Sequence, residues 1–262
     1  MKFTKMHGCG NDYIVINSFK NTIDLTPEEI IFLCKPHFGV GSEGLLIATK
    51  SDKADFRMRM FNIDGTEAEM CGNGIRCISK FAYDEKIIIN KIATVETKVG
   101  IKNIELIFDN DNFIGVKVNM GKAEFSENPT NNEYNLHCVS IGNPHAVMIV
   151  DNVNEFPITE LGPKIENHKG FPNKTNVEFV EIVNKNMVNL RIWERGCMET
   201  YSCGTGSCAT VAVLNKLGLV DNNCLVKLKG GELKIELINN EIFMIGNAIR
   251  VFEGEIDLSH FI

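Results

Sequence analysis

Leu190-Arg-Ile-Trp-Glu-Arg-Gly-Cys-Met-Glu-Thr-Tyr-Ser-Cys203-Gly-Thr-Gly-Ser-Cys-Ala209 has an earlier counterpart in the same chain. That counterpart is Met58-Arg-Met-Phe-Asn-Ile-Asp-Gly-Thr-Glu-Ala-Glu-Met-Cys71-Gly-Asn-Gly-Ile-Arg-Cys77. Without a gap, Arg59 lies over Arg191, Phe61 over Trp193, Glu67 over Glu199, and Cys71-Gly-x-Gly over Cys203-Gly-x-Gly. The offset is 203 − 71 = 132, about half of the 262 residues. Working outward, Gly10-Asn11 and Gly142-Asn143 share that offset, and each pair precedes an apolar strand, Tyr13–Ile16 or Ala146–Val150. Phe56, Met58 and Met60 alternate with period two, as do Val188, Leu190 and Ile192, the mark of a half-buried strand. Ile104-Glu-Leu106 returns as Ile235-Glu-Leu237, and Met120-Gly121 as Glu253-Gly254. The repeat therefore spans nearly the whole chain, joined through the polar stretch Ser126–Asn135.

The reading is a duplicated α+β domain. Each of two similar pseudo-symmetric lobes, 1–120 with Cys71 and 121–262 with Cys203, has many short strands and one strongly apolar helix. A curved, mostly antiparallel sheet wrapped around that helix is the architecture expected. The helices are Gly74–Glu85, with Ile75, Ile78, Phe81 and Ala82 inward, and Gly206–Leu217, closed by Gly218 as C-cap. A further helix starts at Thr26-Pro27-Glu28-Glu29, where Thr caps, Pro suits the first turn and Glu29 completes a capping box.

Composition narrows the function. A net charge of −7 argues against a nucleic-acid or anionic-membrane partner, and no aliphatic run is long enough to span a bilayer. No signal core is read at the start, so a cytoplasmic protein is expected. Nine cysteines, an odd count without Cys-x-x-Cys, suit neither a disulfide framework nor a structural zinc site, and no metal is expected. Cys34, Cys138 and Cys224 read as small core residues.

Cys71 and Cys203 stand apart because each precedes a helix. A helix start carries roughly +0.5 elementary charge and unpaired N–H groups, so it attracts an anion, and the same field favours thiolate. A carboxylate held between two such starts would place its α-carbon between the sulfurs. One thiolate would remove the α-proton while the opposite thiol supplies another. Inverting a carbon needs equivalent chemistry on both faces, which gives the duplication a purpose. No phosphate-cradling loop and no dinucleotide motif is present, and no cofactor is expected.

Taken together, Lys5-Met-His-Gly-Cys-Gly-Asn-Asp-Tyr13, Phe61-Asn-x-Asp-Gly65, Cys71-Gly-Asn-Gly-Ile-Arg76, Gly142-Asn-Pro-His145, Thr175-Asn-Val-Glu-Phe179, Trp193-Glu-Arg-Gly196 and Cys203-Gly-Thr-Gly206 resemble the diaminopimelate epimerase family, in order and over nearly the full length. The resemblance implies a cofactor-independent isomerase acting on diaminopimelate, LL to meso, in lysine and peptidoglycan precursor synthesis, with its site in a cleft between two lobes. It implies Cys71 and Cys203 as the acid/base pair. Gly72, Asn73, Gly204 and Thr205 would donate to the reacting carboxylate. Asn11, Asn62, Asn143, Asn176, Glu194 and Arg195 would hold the rest of the substrate, with His145 and Glu194 supporting catalysis. Asn amides donate and accept, Glu194 accepts and Arg195 offers a planar fork, which suits a second amino-acid end. Asn11 and Asn143 adjoin glycines and fit turn-shaping equally well. Cys9, and Gly41-Ser-Glu-Gly44 where some members have a Gln, depart from the family pattern. Proline racemase-like and PhzF-like enzymes, and a thiol redox protein, are the rival readings; a homodimer is the assembly entertained.

Overall fold

A computed structural model describes residues 1–131 and 133–260, so Asn132 of the expected linker, Phe261 and Ile262 lie outside the described residues. The chain divides into two compact units, Met1–Val118 with Gly246–Ile262, and Asn119–Ile245. In chain order the elements are β1 (Lys2–Gly8), β2 (Asn11–Asn17), α1 (Pro27–Cys34), β3 (Leu45–Thr49), β4 (Phe56–Phe61), β5 (Glu67–Ala68), α2 (Gly72–Asp84), β6 (Ile92–Thr97), β7 (Gly100–Asp109) and β8 (Asn112–Gly121). There follow β9 (Glu124–Ser126), β10 (His137–Ser140), β11 (Pro144–Ile149), α3 (Ile158–Glu166), β12 (Asn176–Asn184), β13 (Met187–Glu194), β14 (Met198–Thr200), α4 (Gly204–Lys216), β15 (Asn223–Leu228), β16 (Gly231–Ile238), β17 (Glu241–Gly246) and β18 (Ile249–Glu255).

Strand pairing repeats. In the first unit β1–β2 is antiparallel, β2–β3 parallel, β3–β4 antiparallel, β4–β6 parallel and β6–β7 antiparallel. The second unit reproduces this with β10–β11, β11–β12, β12–β13, β13–β15 and β15–β16. The register agrees to the residue: Ile14 faces Leu45, and Ala146 faces Val177, each pair 132 apart from its counterpart. The parallel pairs β2–β3 and β11–β12 are buried on two faces. Ile14, Ile16, Leu45 and Ile47 pack with Ile30 and Leu33 of α1. On the other side of these strands lies α2, which touches β1, β2, β3, β4, β7 and β18. That is why Tyr13–Ile16 and Leu45–Ala48 are unbroken apolar runs while β4 alternates.

The helix ends follow the sequence. Thr26 Oγ1 accepts from Glu29 N at 3.3 Å and Glu29 Oε2 from Thr26 N at 2.8 Å, the expected box. After α4, Gly218 at φ +74 donates to Asn215 O and Leu219 to Leu214 O, the paired bonds of a Schellman motif. Helix α4 is buried nearly all round, from Gly204 to Leu214 apart from Thr205, as a helix enclosed by its own sheet must be. Helix α3 was not foreseen. Pro157 at its N-cap and Pro163 inside it mask the pattern, but Ile158 and Ile165 pack on Phe179 and Trp193. No described helix is long and apolar enough to cross a membrane.

The expected division at 120/121 gives the C-terminal stretch to the second repeat, whereas the structure counts Gly246–Ile262 with the first unit. The reason is β1, which has β2 on one edge and takes β18 on the other. In the second unit β10 likewise lies between β11 and β9. Duplicated sequence marks copies of a chain, and edge pairing decides which strand closes which sheet. The closure is tight. A Cβ built on Gly254 would lie 2.5 Å from Cζ of Phe3, so only glycine leaves room for that ring. Gly254→Ala should lower stability by about 1–3 kcal/mol through overpacking, and Phe3→Leu in the same chain should recover most of the loss. Thermal unfolding of the two variants reads this, and an unchanged midpoint for Gly254→Ala would remove Phe3 from the closure.

Candidate active site

Both cysteines are N-caps in nearly the same backbone conformation, Cys71 at φ −132, ψ 133 and Cys203 at φ −129, ψ 119. Each extended cap turns its thiol to the mouth of a helix whose first residues, Gly72-Asn73-Gly74 or Gly204-Thr205-Gly206, bring no bulk to the entrance. Outside the helical ladder, no hydrogen bond is made by the backbone N–H of Gly72, Gly204 or Thr205 among the described residues. Helix starts with open donors are anion sites.

In the second unit the predicted residues form one connected network. Cys203 is 8% exposed, and its Sγ accepts from Gly206 N at 3.4 Å and lies 3.3 Å from Thr205 Oγ1. Asn143 Nδ2 donates to Thr205 Oγ1 at 3.3 Å, while Asn143 Oδ1 lies 3.0 Å from His145 Nε2. An amide oxygen only accepts, so Nε2 carries a hydrogen. His145 Nδ1 then faces Glu178 Oε1 at 2.7 Å, with both side chains fully buried. The direction of donation runs from His145 through Asn143 to Thr205, leaving the threonine hydroxyl to donate to sulfur.

Glu178 is the residue that sequence reading passed over. It sits on a strand of apolar neighbours, where Thr175-Asn-Val-Glu-Phe179 served only as part of a motif. One oxygen meets His145; the other, Oε2, is buried without a hydrogen-bond partner among the described residues. A Cβ on Gly206 would lie 2.8 Å from Glu178 Oε1, so the carboxylate lies directly beneath the first turn of α4. The signal that could have found it is the lack of alternation: Glu178 interrupts the apolar run Val177-Glu-Phe-Val180, a pattern of strands buried on both faces, where a carboxylate needs a partner.

Glu194, at the end of β13, accepts from Thr200 Oγ1, and its carboxyl is pushed up by burial, with Thr200 opposing and Glu178 adding to the effect. Asn176 and Arg195 are tied by backbone: Asn176 Oδ1 accepts from Arg195 N at 3.0 Å and its Nδ2 donates to Pro144 O at 2.9 Å. The Arg195 guanidinium is exposed and donates to Asn173 O at 3.3 Å.

The first unit is simpler. Tyr13, 1% exposed, donates to Cys71 Sγ at 3.1 Å. Asn73 is buried at the second position of α2. Asn11 opens β2 with its Oδ1 buried and unpartnered among the described residues. Asn62 shapes a turn, with Nδ2 donating to Thr66 Oγ1 at 3.0 Å, and no recorded bond links it to Cys71. Arg76 is fully buried, donating from Nη1 to Gly72 O at 3.1 Å and from Nε to Asn247 O at 3.1 Å. Cys9 packs beside it, 3.6 Å from Nη2.

One expectation is corrected for Cys203. The helix field alone favours thiolate, yet burial pushes this thiol well above its usual range, with Glu194 second; Thr205, Glu178 and Gly206 follow, the first and last lowering it. Desolvation outweighs the donors. Because the folded chain keeps a proton that the unfolded chain gives up near pH ~8.5, stability is complete below that pH and falls as pH rises above it. Cys138, pushed up to about 11, and Cys77, to about 12, act in the same direction. Urea unfolding from pH 7.5 to 10 should show stability declining, less steeply in Cys203→Ala; equal slopes would mean Cys203 is not the desolvated thiol described.

The comparisons with known proteins agree with these motifs. The family model described as diaminopimelate epimerase matches residues 3–126 and 137–251. The diaminopimelate epimerase of Methanococcus maripaludis is 49% identical over 277 residues, covering 98% of this chain and 100% of that protein. That of Agathobacter rectalis is 48% identical over 286 residues, with the same coverages. Among solved structures, a PhzF-family phenazine biosynthesis protein from Bacillus anthracis aligns with a TM-score of 0.76 at 19% identity, covering 98% of both chains, a likeness of fold.

Proposed function

This chain belongs to the diaminopimelate epimerase family, and we propose that it interconverts LL- and meso-diaminopimelate without a cofactor, as a cytoplasmic step toward lysine and peptidoglycan precursors. The observation that carries the mechanism is the pair of thiols capping equivalent helices in the two halves of one duplication. In this reading the open N–H groups of Gly72, Gly204 and Thr205 receive the carboxylate at the reacting carbon, together with Asn73. Negative charge grows on that carboxylate as the α-proton leaves, and donors already aimed at it need no rearrangement. One sulfur takes the proton from one face and the other supplies a proton from the opposite face.

Asn11, with a buried acceptor awaiting a donor, suits an ammonium group of the substrate. Asn143 and Asn176, with Asn62, Glu194 and Arg195, complete the binding set, and His145 supports Cys203 through Asn143 and Thr205. The exposed guanidinium of Arg195 leaves its fork available for the distal carboxylate. We extend the reading to a homodimer, for which Ile249 and Val251, exposed on one face of β18, offer apolar surface; sedimentation of the native chain checks it.

Isotope traffic tests the chemistry. A thiol carries one exchangeable hydrogen, so a proton taken by one sulfur cannot be delivered to the other face. In deuterated water the early product should carry deuterium at the α-carbon while recovered starting isomer stays protiated, from both directions. Cys71→Ala and Cys203→Ala should each abolish epimerisation. Deuterium entering the starting isomer as fast as product forms would mean a single polyprotic base, and the two-thiol scheme would fall. Activity should also survive dialysis against chelator under reductant; loss restored by a metal or by pyridoxal phosphate would overturn the cofactor-free reading.

A further inference from the structure

The two halves do not support their thiols in the same way. At the repeat offset of 132, Tyr13 corresponds to His145, Leu46 to Glu178 and Gly74 to Gly206. The geometry preserves the correspondence. A Cβ on Gly74 would meet Leu46 Cδ2 at 3.4 Å and Tyr13 Cζ at 3.6 Å, where the equivalent Cβ on Gly206 meets the Glu178 carboxylate. One thiol therefore stands over a phenol and an aliphatic side chain, the other over an imidazole and a carboxylate.

Hydrogen-bond roles separate the two sulfurs. Among the described residues the recorded hydrogen-bond partner of the Cys71 sulfur is the Tyr13 hydroxyl, which makes no other recorded hydrogen bond. A buried phenol hydrogen left without an acceptor is costly, so Tyr13 must donate and sulfur must accept. A thiolate accepts such a bond far better than a thiol, and the part-exposed Cys71 sulfur keeps some hydration for its charged form. Cys203 is buried where Cys71 is part-exposed, and the carboxylates of Glu194 and Glu178 lie close to it, so charge on its sulfur is disfavoured although Gly206 N donates to it. We propose that Tyr13 is a positioning residue that fixes Cys71 as the resting thiolate, leaving the buried Cys203 as the resting thiol.

This inference rests on the epimerase reading, which it deepens by assigning the first base. From rest, Cys71 takes the α-proton and becomes a thiol while Cys203 gives up its own and becomes a thiolate. The resting state returns when Cys71 loses a proton to solvent and Cys203 gains one. Burial, then the adjoining Cys71, pushes the Tyr13 phenol well up, so it remains a donor throughout. The other titratable groups bearing on Tyr13 are Cys77 of α2 and Glu43 of the preceding loop, and Cys77 in turn faces Arg76, Cys9 and Asp12. Around Cys203 they are Glu194 on β13 and Glu178 on β12, with His145 on β11 paired to Glu178.

The test is the pH profile of alkylation. The reduced full-length chain is treated briefly with iodoacetamide across a pH series, and labelling at Cys71, Cys203 and the exposed Cys197 is quantified by peptide mass spectrometry. Profile midpoints are compared rather than rates, since Cys71 is also the more accessible of the pair. Cys71 should titrate at lower pH than Cys203. In Tyr13→Phe the Cys71 midpoint should move up by about one pH unit, a tenfold smaller ionised fraction below it, with Cys203 unmoved. A purely packing role for Tyr13 would instead speed labelling at both thiols without moving either midpoint. A wild-type Cys203 midpoint below that of Cys71, or an unmoved Cys71 midpoint in folded Tyr13→Phe, overturns the proposal. Labelling uses no substrate, so failure of the isomer assay and failure of this assignment are seen separately.

Discussion

A helix buried all round has nowhere to hide its first N–H groups, and that constraint shapes the chain. Helix α4 is packed against strands of its own unit, and the donors at its start find no partner in that wall among the described residues. Cysteine is a poor cap compared with serine or aspartate, and it satisfies only the Gly206 N–H, at 3.4 Å. A chain selected for stability alone would cap this helix better. Leaving Gly204 and Thr205 with open donors costs folding energy and leaves a place where a carboxylate is welcome.

Enclosing a helix in this way needs a sheet that curves and closes, and the duplicated pairing supplies it twice. The parallel pairs β2–β3 and β11–β12 carry the load because they are buried on both faces. They also bring Tyr13 to Cys71 in one unit, and the His145–Glu178 pair to the first turn of α4 in the other. Site and core are thus the same strands read at different positions. Changing a core residue there would move the site, which keeps the two copies similar in frame while their polar side chains diverge.

Much of this was legible in the sequence because it follows from period and from glycine. The capping box at Thr26, the Gly218 C-cap and the alternation of β4 and β13 are local and are found where the spacing puts them, while the helices after the two cysteines begin at Gly72 and Gly204, two residues earlier than expected. What was hidden depends on tertiary neighbours. The membership of β18 in the first unit follows from an open edge on β1, which no local pattern records. Glu178 looks like one polar residue in a strand until its burial beside His145 is known. The raised Cys203 thiol is a balance between a helix field that sequence reveals and a desolvation that it does not.

Divergence after duplication gives the last step. Two perfectly equivalent thiols would share one proton with no preference, and half the resting molecules would present each substrate isomer with the wrong sulfur ionised. A fixed preference suits a flux that runs mainly one way, because the free enzyme then meets its usual substrate already in the right protonation state. On the proposed scheme the preference must stay small, since each turnover would end with the roles exchanged and the proton restored through solvent. A phenol is suited to such a bias: it donates a hydrogen bond, adds no charge, and stays protonated while the sulfur beside it cycles. An arginine or lysine in its place would bind the thiolate more strongly and slow its reprotonation. On the proposed two-thiol scheme, the neutral donor at Cys71 and the carboxylates around Cys203 would bias protonation in the same direction.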